Sequence, residues 1–496
     1  MTQSASARRW LGRAALLGSL EVATVLGCTA PRADAGAEGR PVSGTRPPAV
    51  DVVGYWAGTA VFRGASLQMA VRFERQRGRL TATLSAPDIL LLDQPLTDVV
   101  ADTLAGAPGN ALLVFFTLDD PDGSLAFAGS RVADTIAGTA LLPAVAAARE
   151  GAARMTWRLV HVVPPASPPY GARELRIAGR NVVLAATLLI PRDRRASHPG
   201  ILILQGSSTN LRAQYRFYAD HFARAGFVVL SFDKRGNGAS SGDYRRASYD
   251  DLVADARAAF DSLAAQPNVD RRHVGLWGLS QGAFIAPLVA EDSADRTDRR
   301  VAFVVAVSAP GVPIAEAAAY QDSLHVAWAG LSPAAAREAA AAHRDLASAL
   351  RAGASSDRVA AVFRRVADKP WRPLTGMPRT PPSTDELRGW YWYGRTLDPV
   401  TWWRRLRAPV LLVYGEADEL VPARASAERL ERALHEGKNP DAKVRIYPGA
   451  NHVVRLVSSP LAPRDARWDW PRPARGYLAD VSAWLDARVG TRPSTP

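Results

Sequence analysis

The sequence predicts two folded parts in series. An antiparallel β barrel or sandwich spans residues 50–165, and a doubly wound, mostly parallel α/β sheet spans residues 170–490. Three observations carry that expectation. Before Val163, short runs alternating apolar and polar residues recur between turn signals, as a sheet with one wet face requires. After the stiff stretch Pro164-Pro165-Ala166-Ser167-Pro168-Pro169, nearly unbroken β-rich runs alternate with helical patterns, the mark of strands covered on both faces. Between about 312 and 400 the alternation gives way to Ala-rich helical sequence and then Trp- and Pro-rich sequence, which predicts a helical insertion lying over the strand ends as a lid.

The runs of the first part are residues 60–62, 67–73, 80–84, 111–118, 125–128, 135–140 and 155–160, with Gly109-Asn110 and Asp122-Gly123 as turn pairs. In the second part, residues 200–204, 227–232, 301–307, 409–415 and 444–447 read as strands. Residues 248–265, 284–291, 423–435 and 477–489 read as helices, with 314–325 and 333–351 in the insertion. Ser248 is placed to cap the first of these. Trp371, Trp390, Trp392, Trp402 and Trp403 crowd a short interval of the insertion, where they either line an apolar pocket or pack the helices onto the sheet.

Composition excludes several classes. The 496 residues exceed one ordinary domain, and the net charge of +13 comes almost wholly from arginine. Those arginines are scattered, and neither an RNA-binding signature nor a zinc-ligand cluster appears, so nucleic acid is not an expected partner. The single cysteine, Cys28, rules out an intrachain disulfide. Arg8-Arg9 precede a short apolar stretch that Cys28 closes, which reads as a signal peptide over residues 1–28, with residues 29–49 as a disordered tether. Val25-Leu26-Gly27-Cys28 resembles a bacterial lipoprotein box, and Arg8-Arg9-Trp10-Leu11 resembles a twin-arginine signal. The expectation is export, with membrane attachment through lipid on Cys28 or, alternatively, plain secretion.

The chemistry is expected at Gly278-Leu279-Ser280-Gln281-Gly282, which follows an apolar strand and opens a helix. A strand-to-helix turn lifts the Ser280 hydroxyl clear of the backbone, while Gly278 and Gly282 sit where strand and helix crowd together. Gly238-Ala239-Ser240-Ser241-Gly242 also fits the pattern, but it lacks both strand and helix and reads as a flexible loop. A serine hydroxyl is a poor nucleophile at neutral pH and needs a base, which in turn needs an orienting acid. Asp418 follows the strand ending at Gly415, with Glu416 and Glu419 as neighbouring competitors; His452 follows the last strand. Serine, acid and histidine thus come in the chain order Ser280, Asp418, His452.

From about Tyr170 onward the chain resembles the α/β-hydrolase superfamily, and within it secreted bacterial esterases and dienelactone-hydrolase-like enzymes. The resemblance rests on Leu202-Ile203-Leu204-Gln205-Gly206-Ser207, Phe232-Asp233-Lys234-Arg235-Gly236-Asn237-Gly238, the Ser280 turn, the Asp418 loop with Val421-Pro422, and Gly449-Ala450-Asn451-His452. It implies Ser280 as nucleophile, His452 as general base and then acid, and Asp418 as the orienting acid. It implies an oxyanion hole made by the backbone amides of Ser207 and Gln281, with Gln205-Gly206 standing where the family usually has His-Gly. Asp233 and Arg235 match a structural loop. The implied activity is hydrolysis of a small-molecule carboxylic ester through an acyl-enzyme, without a cofactor. The alternatives are a serine peptidase of the same fold, aminopeptidase-like, and a non-catalytic tethered binding protein on a hydrolase scaffold.

Overall fold

A computed structural model describes residues 51–103, 111–119, 124–141, 154–208, 210–292, 300–351, 356–377, 379–383, 386, 394, 397–463 and 470–490. The chain divides into two units, Met1–Ala49 and Val50–Pro496. The expected signal sequence, Cys28 and the tether belong to the first and lie outside the described residues, as do both turn pairs of the β-rich part. Among the described residues no helix is long and apolar enough to cross a membrane.

The β-rich part is an antiparallel sheet of strands β1 (Gly54–Phe62), β2 (Ala65–Gln76), β3 (Arg79–Ala86), β4 (Leu91–Pro95), β5 (Thr97–Thr103), β6 (Leu112–Leu118), β7 (Leu125–Val132), β8 (Thr135–Leu141) and β9 (Arg154–Val162). Their order is β4-β3-β2-β1-β9-β8-β7-β6-β5. The Leu96 amide, between the two edge strands, donates to the Ala82 carbonyl of β3 at 2.9 Å, so the sheet nearly closes into a barrel and hides its edges. Strands β4 and β5 escape the sequence pattern because proline and aspartate interrupt their apolar residues. Alternate side chains point inward, and Phe73, Phe116, Phe127 and Trp157 fill the interior. Phe116 stacks on Phe127 at 4.8 Å and tilts against Trp157 at 5.6 Å.

The second sheet runs β10 (Tyr170–Gly179), β11 (Val182–Pro191), β12 (His198–Leu204), β13 (Val228–Phe232), β14 (Val269–Leu279), β15 (Val304–Val307), β16 (Val410–Gly415) and β17 (Ala442–Tyr447). Their order is β10-β11-β13-β12-β14-β15-β16-β17. Strands β12 to β17 pair in parallel, and β10 and β11 add an antiparallel hairpin at one edge. That hairpin is absent from the sequence reading: its polar face alternates like the barrel strands before it, so periodicity does not mark a new sheet. Helices α1 (Arg216–Arg224), α2 (Tyr249–Ala264), α3 (Gln281–Asp292), α4 (Ile314–Trp328), α5 (Pro333–Arg351), α6 (Ser356–Val366), α7 (Val400–Arg405), α8 (Ala423–Glu436) and α9 (Tyr477–Val489) complete the fold. Ser248 caps α2 in a reciprocal box with Asp251. The chain leaves β12 for β13 on one side and then crosses to β14 on the other, so a crevice opens at the carboxyl ends of β12 and β14.

Helices α4, α5 and α6 form the insertion around a small core of their own, including Val326, Leu346, Phe363 and Trp371. The described tryptophans pack and do not line the pocket: Trp371 belongs to that core, Trp403 is buried in the main core, and Trp402 lies edge-on to Phe284 at 5.3 Å. Trp390 and Trp392 lie outside the described residues.

The barrel is seated on the α/β part. Leu90 enters the core that covers one face of the second sheet. Gln94 Nε2 donates to the Ala213 carbonyl at 2.6 Å, and Trp470 donates to the Ala65 carbonyl at 3.0 Å while packing against Phe62. The contact at Leu90 makes a prediction. Leu90→Ala removes a buried side chain at the junction and costs about 2–5 kcal/mol. Its tryptophan-fluorescence unfolding curve in urea is expected to move to lower denaturant; an unmoved curve would show the junction to be energetically idle.

Candidate active site

Ser280 stands between β14 and α3 with φ at 52°, in the left-handed region that only glycine adopts freely. Its amide donates to the Val307 carbonyl at 2.8 Å, and its carbonyl accepts the first helical bond from Phe284, also at 2.8 Å. The turn closes only because its flanks lack side chains. A Cβ on Gly278 would come within 2.6 Å of the Gly282 carbonyl carbon, and one on Gly282 within 2.1 Å of the Leu204 carbonyl oxygen. The Ser280 side chain is left on the wall of a cavity of about 580 Å³.

Parallel pairing of Leu204 with Gly278 sets the Gly206–Ser207 segment beside this turn. A Cβ on Gly206 would lie 3.8 Å from that of Ser280. The Gly206 amide donates to the Tyr215 hydroxyl at 2.8 Å, and its carbonyl accepts from Asn210 and from Lys234. Ser207 and Gln281 both line the cavity, and among the described residues their amides donate to no protein acceptor. Gln205 turns away, donating through its side chain to the Phe232 carbonyl.

Asp418 and His452 come from loops after β16 and β17. The His452 Nδ1 lies 3.0 and 2.8 Å from the two carboxylate oxygens of Asp418. Asp418 is fully buried, and its Oδ1 also accepts the amides of Leu420 and Val421 at 2.8 Å each. The competing acids do not bond the His452 ring: Glu416 pairs with Arg424, and Glu419 accepts the His452 amide at 3.4 Å. The two loops are knitted together by bonds from Glu416 to the Tyr447 carbonyl and from Ala417 to the Ala450 carbonyl. Burial by itself would lower the His452 imidazole, but the charge and hydrogen bond of Asp418, with the charge of Glu419, outweigh it and leave the group raised. Burial pushes the Glu419 carboxyl up.

Ser308 joins these pieces. It follows β15 in a left-handed conformation, fully buried. Its amide donates to Val413 at 2.7 Å and its hydroxyl to the His452 carbonyl at 2.7 Å. Ser280 is bonded to Val307, the residue just before it, so the ends of β14, β15 and β16 and the His452 loop share one tether. Sequence reasoning passed over Ser308, although a serine closing an all-apolar strand next to the Ser280 strand was a usable signal. It also passed over Tyr215 and Lys234, which shape the Gly206 loop; the signal at Lys234 was a lysine beside a buried strand in a chain whose cations are nearly all arginine.

The cavity wall near Ser280 is mainly apolar, with Phe284, Ile314, Ala317, Leu420 and Val421. Tyr244 and Tyr249 add aromatic surface, and the lid side brings Asp322, His343 and Glu386. Asp322 and His343 are buried and bonded to each other at 2.5 Å. Asp233 and Arg235 serve structure: Asp233 takes the backbone amides of Arg212 and Ala239, and Arg235 clasps Asp255 of α2 at 2.7 and 2.8 Å. The second serine motif is a loop, though a pinned one. The Ser240 and Ser241 hydroxyls accept the Ala185 and Val183 amides, so they extend the edge of β11 and are used up in doing so. Among the described residues no cluster of His, Cys, Asp and Glu gathers the donors a metal ion needs.

Residues 201–455 match the family model described as serine aminopeptidase, S33. An uncharacterized protein of Mycobacterium tuberculosis is 33% identical over 136 residues, 26% of this chain and 47% of that protein. An uncharacterized protein of Pseudomonas aeruginosa is 30% identical over 118 residues, 23% of this chain and 32% of its own length. The match thus spans less than half the length of these curated relatives. Among solved structures, an esterase of Pyrococcus furiosus overlays 66% of this chain and 94% of its own with a TM-score of 0.40 at 18% identity. A hyperthermophilic esterase of Pyrobaculum calidifontis overlays 64% and 86% with a TM-score of 0.41 at 16% identity.

The Asp418–His452 pair makes a prediction about titration. Because the fold favours protonated His452, its contribution to stability is complete below about pH 6.5 and is lost as pH rises through the folded-state value. Asp418→Asn removes the charge that opposes burial, so His452 is expected to titrate lower in the variant than in the parent. Proton NMR of the imidazole checks this, and an unshifted titration would place the pair's influence elsewhere.

Proposed function

The chain belongs to the serine aminopeptidase S33 family of α/β hydrolases, and from that premise we propose that it is a serine hydrolase cleaving carboxylic esters through an acyl-enzyme. One observation carries the reading: the strand ends that hold Ser280 on the cavity wall are tied through Val307 and Ser308 to a buried Asp418–His452 pair.

The steps follow from the groups present. Asp418 engages Nδ1 of His452, which fixes the tautomer and leaves Nε2 as the base. As Ser280 Oγ bonds to the ester carbonyl carbon, its proton passes to Nε2. The negative charge that develops on the carbonyl oxygen is taken by the free amides of Ser207 and Gln281, with the N-terminus of α3 behind them. Collapse breaks the bond to the alcohol oxygen, which leaves with the proton from His452. Water then gives its proton to His452 and attacks the acyl carbon, and Ser280 departs reprotonated as the acid is released. The apolar wall formed by Phe284, Ile314, Ala317, Leu420 and Val421 suits an acyl chain.

A second reading, an aminopeptidase, has a specific observation in its favour: Glu386 lies on the lid side of the cavity, where a carboxylate could meet a substrate ammonium, whereas Asp322 is spent on His343 and the Gly376 amide. One substrate panel separates the two. Short- and medium-chain p-nitrophenyl esters are compared with aminoacyl p-nitroanilides, using the parent protein and Ser280→Ala. The expected result is ester turnover that falls by about 10⁴-fold or more in Ser280→Ala. Anilide turnover exceeding ester turnover would favour the peptidase, and ester rates unaffected by Ser280→Ala would sink the triad reading altogether.

A further inference from the structure

We propose that Lys234 is a positioning residue of the oxyanion site: its ammonium grips the Gly206 carbonyl and the Gln281 side chain together, and so aims and polarises the Ser207 amide. The inference rests on the serine-hydrolase reading above and adds to it a group outside the Ser280, Asp418 and His452 set.

The argument begins with a planar peptide. The Gly206 carbonyl and the Ser207 N–H belong to one trans peptide unit, so they point in opposite directions. Lys234 Nζ donates to that carbonyl. A cation fixed on the carbonyl side directs the N–H toward the other side and draws electron density from it, which makes it a stronger donor. The same ammonium donates to Gln281 Oε1 at 2.9 Å, and Gln281 supplies the other free amide. Tyr244 Oη also donates to Gln281 Oε1, at 2.9 Å, so the two donors dictate which way this side-chain amide is turned. Lys234 therefore bridges the two segments whose amides must act together.

The charge is unusual in its isolation. Lys234 is 6% exposed, and among the described residues no carboxylate pairs with it. Its neighbouring acids are taken, Asp233 by Arg212 and Asp255 by Arg235. Burying an uncompensated cation is costly, and the one place near it where negative charge develops is the far side of the Gly206–Ser207 peptide. The rest of its shell is polar and neutral: the Ser208 carbonyl at 3.5 Å and the Tyr244 hydroxyl at 3.4 Å, with the Tyr244 ring 4.6 Å from Nζ. An ammonium has three protons to share among the four oxygens of this shell. The neutral amine has one fewer and must turn a lone pair toward an oxygen.

Burial pulls the Lys234 ammonium down to about 7. The titratable and charged groups around it are Tyr244, Tyr215 on the opposite side of Gly206, Asp233 and Arg235 on its own loop, and Asp255 of α2. Burial pushes both tyrosines upward, away from neutrality. His452 must be neutral to act, so activity climbs as pH rises past its raised value. Lys234 must be charged, so activity falls as pH rises through about 7. The profile therefore has a rising limb set by His452 and a falling limb near 7 set by Lys234.

The test is the pH profile of kcat for p-nitrophenyl ester hydrolysis by the parent protein and by Lys234→Met, with melting curves to check folding. The parent is expected to show the descending limb near neutrality. Lys234→Met is expected to lose about 10²–10³-fold in kcat with little change in KM, and to lack that limb. A descending limb that persists in Lys234→Met, or a parent profile flat above neutrality, would overturn the proposal. If Lys234→Met does not fold, the parent's limb is measured at two temperatures. An amine's ionisation shifts strongly with temperature, and a limb that stays fixed would overturn the proposal equally. Parent hydrolysis that Ser280→Ala leaves unchanged would instead bring down the reading on which the proposal rests.

Discussion

The site depends on one constrained turn. Ser280 is held in left-handed backbone, at a cost of about 1–3 kcal/mol for a residue with a side chain. That conformation persists because the surroundings over-determine it. Its amide and carbonyl are both bonded, its flanks admit no Cβ, and the strand before it is buried between neighbours on both sides. The other parts of the site are arranged relative to this turn. The neighbouring strand ends deliver the Gly206–Ser207 segment on one side and Ser308 on the other, and Ser308 passes the constraint on to His452.

Charge around the turn is partitioned with some economy. The Asp418 carboxylate is saturated by His452 and two backbone amides, and Arg212 and Arg235 are committed to Asp233 and Asp255. Three buried ionisable groups remain whose environments move them toward neutrality or beyond: His452, Glu419 and Lys234. Lys234 meets the Ser280 turn through Gln281 and Glu419 meets the His452 loop, and shifted groups gathered in this way mark a candidate functional site.

The Ser280 turn was legible in the sequence because its determinants are local: an apolar strand, two close glycines and a helix opening within a dozen residues. The parallel order of the later strands was legible for the same reason, each being a short apolar run followed by a helix. What depended on long-range packing was not. Composition alone leaves three acids open in Glu416-Ala417-Asp418-Glu419; the resemblance singled out Asp418, and a loop some thirty residues away brings His452 to it. The β10–β11 hairpin hid behind an alternation shared with the barrel. Trp371, Trp402 and Trp403 were ambiguous between pocket and core until their packing was known. Lys234 gave only a weak sign, a lone lysine beside a buried strand, because its contact with the Gly206 carbonyl is made by long-range packing that does not show in one dimension.

The junction between barrel and sheet has a bearing on how such a protein can change over time. Leu90 lies in the core of the α/β part, Gln94 holds the Ala213 carbonyl just beyond the Gly206 loop, and Trp470 leans on Phe62 from the far end of the chain. The proline-rich segment between the two parts is thus a covalent seam without being a mechanical one. Recombination at that seam would separate surfaces shaped for each other and uncover the apolar core that Leu90 enters. The two parts are therefore constrained to be inherited together, and sequence drift in the barrel at Leu90 or Gln94 is felt on the catalytic side of the molecule.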